Sequence, residues 1–323
     1  MAESIIELEV KPEESGRRVD VFCARMVKGY SRSHFIKLAT AGHIRVDDKP
    51  VKPSHKLKPG QKIIIQMVTP SPIEALPEEI HLRIIYEDEH LAVIDKPAGM
   101  VCHPAAGNYT GTLVNALLFH FGGMKRFGDP IRPGIVHRLD KGTSGLLVVA
   151  KNEQTMIALQ RMIKERAIRR IYTAVVWGKM PSSSGIIDLP LGRNPQDRKK
   201  MKVHGLAERP ARTGYATLKA YSIAEVLSLK LDTGRTHQIR VHLSHLGHPV
   251  IGDPTYGGRA AAVVGLPRSL KPLGLEILKA IERQALHAAK LEFQHPITGR
   301  PLSFQAEVPD DIQKVIEILE RHG

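Results

Sequence analysis

Three prolines fall within the nine residues Thr69-Pro-Ser-Pro-Ile-Glu-Ala-Leu-Pro77, and this stretch constrains the fold more than any other in the chain. Each proline fixes φ and removes a backbone donor, so neither a helix nor a central strand runs through it. An extended linker is expected, with a domain on either side. A chain of 323 residues is long enough for two. The pattern places a small domain at residues 16–75 and a larger body at 80–323.

In the small domain, Val19, Phe22, Met26 and Val27 fall at helical spacing. A second helix is expected from Ser31, a capping-type residue, through Phe35, Ile36 and Leu38, with Arg32 and Lys37 as basic groups on it. Gly42 to Pro50 reads as strand and turn, and Lys58 to Met67 as a tight turn into another strand. In the larger body, Leu82 to Tyr86 and Leu91 to Asp95 read as a hairpin. Further strands are expected at 145–150, 171–177, 213–221 and 226–231, with helices at 112–120, 153–166, 236–246 and 312–321. Most connections between strands are too short for a crossover helix, so the expected class is α+β with a mixed, mainly antiparallel sheet. The Ala, Gly and Pro content of Arg259 to Leu273 suggests a loose insertion.

Charge narrows the choice of partner. The 47 Lys and Arg outnumber the 33 Asp and Glu by 14, enough for a positive field that attracts polyanions such as nucleic acid. The excess is clustered: Arg161, Lys164, Arg166, Arg169 and Arg170 are followed by Arg193, Arg198, Lys199, Lys200 and Lys202. Solvated faces and a mobile loop are the alternative reading of that cluster. Aromatic residues make up only 5% of the chain, which disfavours a single-strand binder built on stacking platforms. Two cysteines, Cys23 and Cys102, are too few for a disulfide framework and suit a reducing, cytosolic setting. The acidic first ten residues lack the pattern of a secretory leader, and no apolar run is long enough to span a membrane.

Two segments concentrate polar chemistry. In Pro133 to Ala150, a loop carrying Arg138, Asp140, Thr143 and Ser144 lies between Ile135-Val136 and the apolar run Leu146 to Val149. A carboxylate held by flanking strands is a candidate nucleophile or base, and equally a turn former bonded to its own backbone. In Leu231 to Gly257, His237, His242, His245 and His248 lie within twelve residues. That invites a metal reading, but no cysteine accompanies them and no third ligand is evident, so no metal site is expected. The other use of this stretch is a helix whose first turn presents Arg235, His237 and Arg240 beside the loop acid.

Together these segments resemble the RluA/RluD family of RNA pseudouridine synthases. His137 to Gly145 matches its motif His-Arg-Leu-Asp-x-x-Thr-Ser-Gly, and Thr233 to His242 matches Thr-Gly-Arg-x-His-Gln-Ile-Arg-x-His, continuing through Gly247-His-Pro and Gly252-Asp. Arg170-Ile-Tyr172-Thr-Ala174 is similar to the family's tyrosine motif, with arginine where lysine is usual, and Leu286 to Ala288 with His295 to Gly299 is similar to its closing segment. The helix, helix, strand, turn, strand order of the small domain resembles the RNA-binding module of ribosomal protein S-four.

The resemblance implies an isomerase that detaches uracil from the ribose anomeric carbon and rejoins it through ring carbon five, with no cofactor. No dinucleotide or phosphate-loop fingerprint is found in the chain. It makes Asp140 the catalytic carboxylate, Arg240 its cationic partner or a phosphate contact, and Tyr172 either a residue that packs on the uracil and helps remove the proton from ring carbon five or a core tyrosine. Arg138, Arg235, His237, Arg32, Lys37, Lys199 and Lys200 become RNA-binding candidates. The implied substrate is 23S ribosomal RNA. A transfer-RNA enzyme and a non-catalytic ribosome-assembly factor are the alternatives, and a monomer is the default.

Overall fold

A computed structural model describes residues 3–68, 75–105, 107–122, 127 and 132–322. The expected linker falls mostly on 69–74, outside the described residues. The chain divides into two compact units, Met1–Ile73 and Glu74–Gly323.

The smaller unit comprises strand β1 (Glu3–Glu9), helices α1 (Val19–Met26) and α2 (Arg32–Thr40), and strands β2 (Ile44–Val46), β3 (Lys49–Pro50) and β4 (Lys62–Val68). The strands form one sheet in the order β1-β4-β2-β3. Phe22 and Cys23 of α1 and Phe35 and Leu38 of α2 pack on Ile44, Ile63 and Ile65 of that sheet. Asp47 and Asp48 both adopt positive φ, the geometry of a tight hairpin turn, between β2 and β3. Ser31 occupies the cap position of α2 but makes no side-chain capping bond. Strand β1 was not evident in the sequence, where its alternating glutamates read only as an acidic start.

The larger unit contains β5 (Arg83–Glu87), β6 (Leu91–Lys96), α3 (Leu113–His120), β7 (Ser144–Ala150), α4 (Glu153–Lys164), β8 (Arg169–Trp177), β9 (Ser184–Asp188), β10 (Leu191–Arg193), β11 (Met201–Val203), β12 (Leu206–Arg209), β13 (Arg212–Ala220), β14 (Ala224–Leu231), α5 (Gln238–His245), α6 (Ala260–Val264), α7 (Lys271–Ala280), β15 (Leu286–Gln294), β16 (Pro301–Gln305) and α8 (Asp310–His322). Nine strands form a sheet with the path β5-β6-β7-β15-β8-β14-β13-β9 and β16 beside β15, while β11-β10-β12 make a small second sheet. Every pairing in the large sheet is antiparallel except β7 with β15. The architecture is the mixed, mainly antiparallel α+β class expected. Local chemistry explains the helix starts: Thr112 and Asn115 form a reciprocal capping box on α3, and Asn152 accepts the Thr155 N–H at the start of α4. Helix α8 buries Ile312, Val315, Ile318 and Leu319 along one stripe.

Two expectations need correction. Arg259 to Leu273 is no loose insertion: it contains α6, a 3-10 turn at Arg268–Leu270 and the start of α7. Val263 and Leu273 are buried there, and the Arg259 guanidinium donates to the Ile281 carbonyl at 3.0 Å, so packing overrides a weak local pattern. Ala75, read as the end of the small domain, packs in the core of the larger unit. The strands β9 to β12 carry little sequence signal, being short and, in β12, exposed throughout.

The parallel contact between β7 and β15 brings Gly145 opposite Ala288. Gly145 has φ +109°, and a Cβ there would lie 2.4 Å from the Ala288 carbonyl oxygen. Gly145→Ala combines backbone strain with overpacking and should cost about 2–5 kcal/mol. Urea denaturation measures it, and an unchanged midpoint would show that this contact does not constrain the strand pair.

Candidate active site

Asp140 lies on the loop that enters β7. Before it, Ile135 makes an isolated bridge to Val149, so a single bridge stands where the sequence suggested a flanking strand. The loop is tied down from two sides. From residues 99–102, Gly99 N–H donates to the Lys141 carbonyl at 2.8 Å, and the buried Cys102 thiol meets both the N–H and the carbonyl of Leu139, at 3.3 and 3.2 Å. From the segment before β15, Arg283 Nη1 donates to the Gly142 carbonyl at 3.0 Å and Gln284 Nε2 to Thr143 Oγ1 at 3.1 Å. Thr143 N–H closes a turn onto the Asp140 carbonyl at 3.0 Å. Asp140 is thus both a turn residue through its backbone and free to act through its side chain.

That side chain is 16% exposed and meets the guanidinium of Arg240, whose Nη1 donates to Asp140 Oδ2 at 3.0 Å. Arg240 is on α5 and is itself held by Asp253: Nε and Nη2 donate to the two Asp253 oxygens at 2.7 and 2.9 Å. Asp253 is fully buried and also accepts the N–H groups of Thr255 and Tyr256, at 2.8 and 3.1 Å. Burial alone would weaken the charge on Arg240, but Asp253 and Asp140 more than offset it and hold the guanidinium above its ordinary pKa. Arg240 therefore presents a permanent positive charge to Asp140 in a fixed direction.

Asp140 and Arg240 line a cavity of about 520 Å³ together with Tyr172, Arg138, Arg235 and His237. Burial and the Asp140 charge push the Tyr172 phenol above its ordinary pKa, with Arg170 opposing, so its hydroxyl stays protonated at neutral pH. Arg138, which lines the cavity, is exposed. Arg170 also lines the cavity, is buried, and its Nε has no hydrogen-bond partner among the described residues. His137 accepts the Val148 N–H through Nε2 at 3.2 Å, and burial, reinforced by Arg170, pushes its pKa down to about 3, so the ring is neutral.

Helix α5 begins at Gln238, later than expected, so Arg235 and His237 precede it and only Arg240 lies in its first turn. Gln238 organises this approach: its Oε1 accepts from the Arg235 N–H and Thr233 Oγ1, at 3.0 and 2.7 Å, and its Nε2 donates to the Arg212 carbonyl and Thr213 Oγ1, both at 3.0 Å. Arg235 Nε donates to the Pro210 carbonyl at 3.2 Å. The histidine cluster is not drawn together as ligands: the two ring nitrogens of His242 face Thr213 Oγ1 and the Leu189 carbonyl at 2.9 Å each. Among the described residues no group of three or more His, Cys, Asp or Glu side chains is placed to hold a metal ion.

The remaining basic candidates lie outside the cavity. Lys199 and Lys200 sit between β10 and β11, Lys199 exposed and Lys200 3.5 Å from Asp197. In the smaller unit, Lys37 is exposed, whereas Arg32 is engaged by the buried Asp20 at 2.9 Å. The sequence alone does not show that Asp253 holds Arg240. The available signal was Gly252-Asp, which was matched as a motif without a partner for its carboxylate.

Comparison with known proteins identifies the family. Residues 90–245 match the RNA pseudouridylate synthase family, and residues 17–63 match the S4 domain. An uncharacterized RNA pseudouridine synthase of Aquifex aeolicus is 42% identical over 98% of both chains. The ribosomal large subunit pseudouridine synthase D of Xanthomonas campestris is 41% identical over 98% of this chain and 93% of its own. Among solved structures, human RNA pseudouridylate synthase domain containing 4 superposes with a TM-score of 0.57 at 26% identity, covering 73% of this chain and 92% of that one.

Removing Asp253 leaves a buried guanidinium with one of its two carboxylates. Asp253→Ala should therefore lower stability by about 3–5 kcal/mol. Chemical denaturation reads this out, and a loss below about 1 kcal/mol would mean that the pair behaves like an exposed one.

Proposed function

The chain belongs to the RNA pseudouridine synthase family, isomerases of uridine in RNA, and from that premise we propose that Asp140 is the catalytic carboxylate and that large-subunit ribosomal RNA is the substrate. The observation that carries the catalytic part is the Asp140 carboxylate in a positively lined cavity, with one oxygen held by an Arg240 guanidinium that Asp253 locks in place. In the reaction the bond from uracil N1 to ribose C1′ breaks and one from C5 to C1′ forms; C5 loses a proton and N1 gains one. A carboxylate at the sugar serves cleavage either by bonding C1′ or by taking a sugar proton. Asp232, the other carboxylate lining the cavity, is turned to Arg212 at 3.3 Å.

Tyr172, with its phenol kept protonated, packs against the uracil face rather than acting as the base that removes the C5 proton. The uridine reaches this cavity only when it leaves the RNA stack, and the exposed Arg138 is placed to occupy the vacated position or to hold the backbone. Arg170, buried and incompletely bonded, adds positive charge to the cavity wall for the incoming nucleotide. Arg235 supports that wall. Lys199 and Lys200, and Lys37 of the smaller unit, supply phosphate contacts, whereas Arg32 is occupied by Asp20. The ribosomal target rests on the relatives named for the large subunit and on the S4 match, and both cysteine thiols are free and buried, which fits a reducing cytoplasm.

Asp140→Asn keeps shape and loses charge. It should reduce pseudouridine formation by at least about 1,000-fold while the Kd for a ribosomal RNA fragment stays within about threefold; near-normal turnover would remove Asp140 from the reaction. Replacing Lys199 and Lys200 by Ala should instead weaken RNA binding and flatten the dependence of log Kd on log salt by about one to two units. Pseudouridine mapping in cells with and without the gene tests the target: a site lost from transfer RNA and none from 23S RNA would overturn the ribosomal assignment.

A further inference from the structure

Tyr256 joins three parts of the larger unit that are remote in sequence. Its hydroxyl oxygen accepts the N–H of Met201 in β11 at 2.9 Å and lies 2.7 Å from Nδ1 of His237. Its ring lies beneath the Arg240 guanidinium, 5.0 Å from Cζ to the ring centroid, a cation–π contact. The mechanism above uses none of these contacts.

Proton bookkeeping gives the arrangement a direction. Burial raises the Tyr256 pKa, so the phenol keeps its one proton. The backbone N–H of Met201 can only donate, which leaves that phenolic proton for His237 Nδ1. Burial lowers the His237 pKa, so the imidazole is neutral, and a neutral ring that accepts at Nδ1 carries its own proton on Nε2. Nε2 faces Asp140 Oδ1 at 3.9 Å, and Oδ1 is the oxygen that Arg240 does not hold. The His237 backbone has φ +57°, a left-handed conformation rare for a residue with a side chain. Such strain persists only where the surroundings impose it, here at the approach organised by Gln238.

We propose that Tyr256 is a positioning residue for the active-site carboxylate: its hydroxyl fixes His237 as the Nε2–H tautomer, and that N–H, at 3.9 Å too far for a direct hydrogen bond, turns its dipole toward the Asp140 oxygen left free by Arg240. His237 is then an orienting dipole inside the cavity rather than an RNA contact. The same hydroxyl ties this orientation to β11, which directly follows Lys199 and Lys200. The inference rests on Asp140 being the catalytic carboxylate.

The test uses the full-length protein and two readouts. Nitrogen-15 spectra of the histidine side chains, with the His237 signal identified by its loss in His237→Gln, should show a single tautomer protonated at Nε2 in the wild type and a mixture in Tyr256→Phe. In turnover of an RNA substrate, Tyr256→Phe should lose about tenfold in kcat with KM unchanged, the effect of losing the one hydrogen bond that fixes His237. A purely structural clip would lower Tm and leave kcat alone. A wild-type His237 protonated at Nδ1, or a Tyr256→Phe enzyme with unaltered kcat, overturns the proposal; the wild-type spectrum decides even if the variant does not fold. An inactive Asp140→Asn beside a fully active Tyr256→Phe removes this inference alone, whereas an active Asp140→Asn removes the assignment beneath it.

Discussion

The Arg240 guanidinium, shared between Asp253 and Asp140, is the interaction on which the site depends. A buried cation is tolerable only when its donors are met, and Asp253 meets two of them with both oxygens while its own remaining capacity goes to backbone N–H groups. The geometry of the planar guanidinium then leaves Nη1 aimed at Asp140. Lysine would supply charge without that fixed fork. Asp140 thus faces a positive group whose position is set by contacts made elsewhere, so little reorganisation is needed when a nucleotide arrives.

The loop bearing Asp140 is held with comparable care. Cys102 and Gly99 grip it on one side and Arg283 and Gln284 on the other, and Gly145 lets it enter β7 where that strand touches β15. Arg283 is anchored in turn by the Asp311 carboxylate at the start of α8, at 2.6 and 2.7 Å. The final helix therefore bears on the acid's position through a single guanidinium. Lys96, buried at the end of β6, donates to the Pro97 and Met100 carbonyls at 2.7 and 3.0 Å and shapes the segment that carries Gly99. Burial lowers its pKa to about 8.

Positive charge acts at two ranges. The surface excess of Lys and Arg draws in a polyanion and is screened by salt. Inside the cavity, Arg170 and Arg240 are sheltered from that screening. In the proposed function burial divides the labour: exposed cations govern encounter and affinity, while buried ones act on a nucleotide already extruded from its helix.

Much of this was legible in the chain. The runs at β6, β7, β8, β13 and β14 and the stripe of α8 follow from local periodicity, because strands and helices that face a core must repeat their apolar residues at the spacing of the backbone. The family motifs marked Asp140, Tyr172 and Arg240, and the excess of basic residues pointed to a polyanionic partner. Short or charged strands such as β1 and β12, and the helices hidden in residues 259–280, carried too little pattern to be read. Only the tertiary structure decided that Asp253 locks Arg240, that Tyr256 meets His237, and that Arg32 spends its charge on Asp20. Those pairings join side chains through sheet order and helix placement, and a sequence records which groups exist but not which of them the fold brings within hydrogen-bond distance.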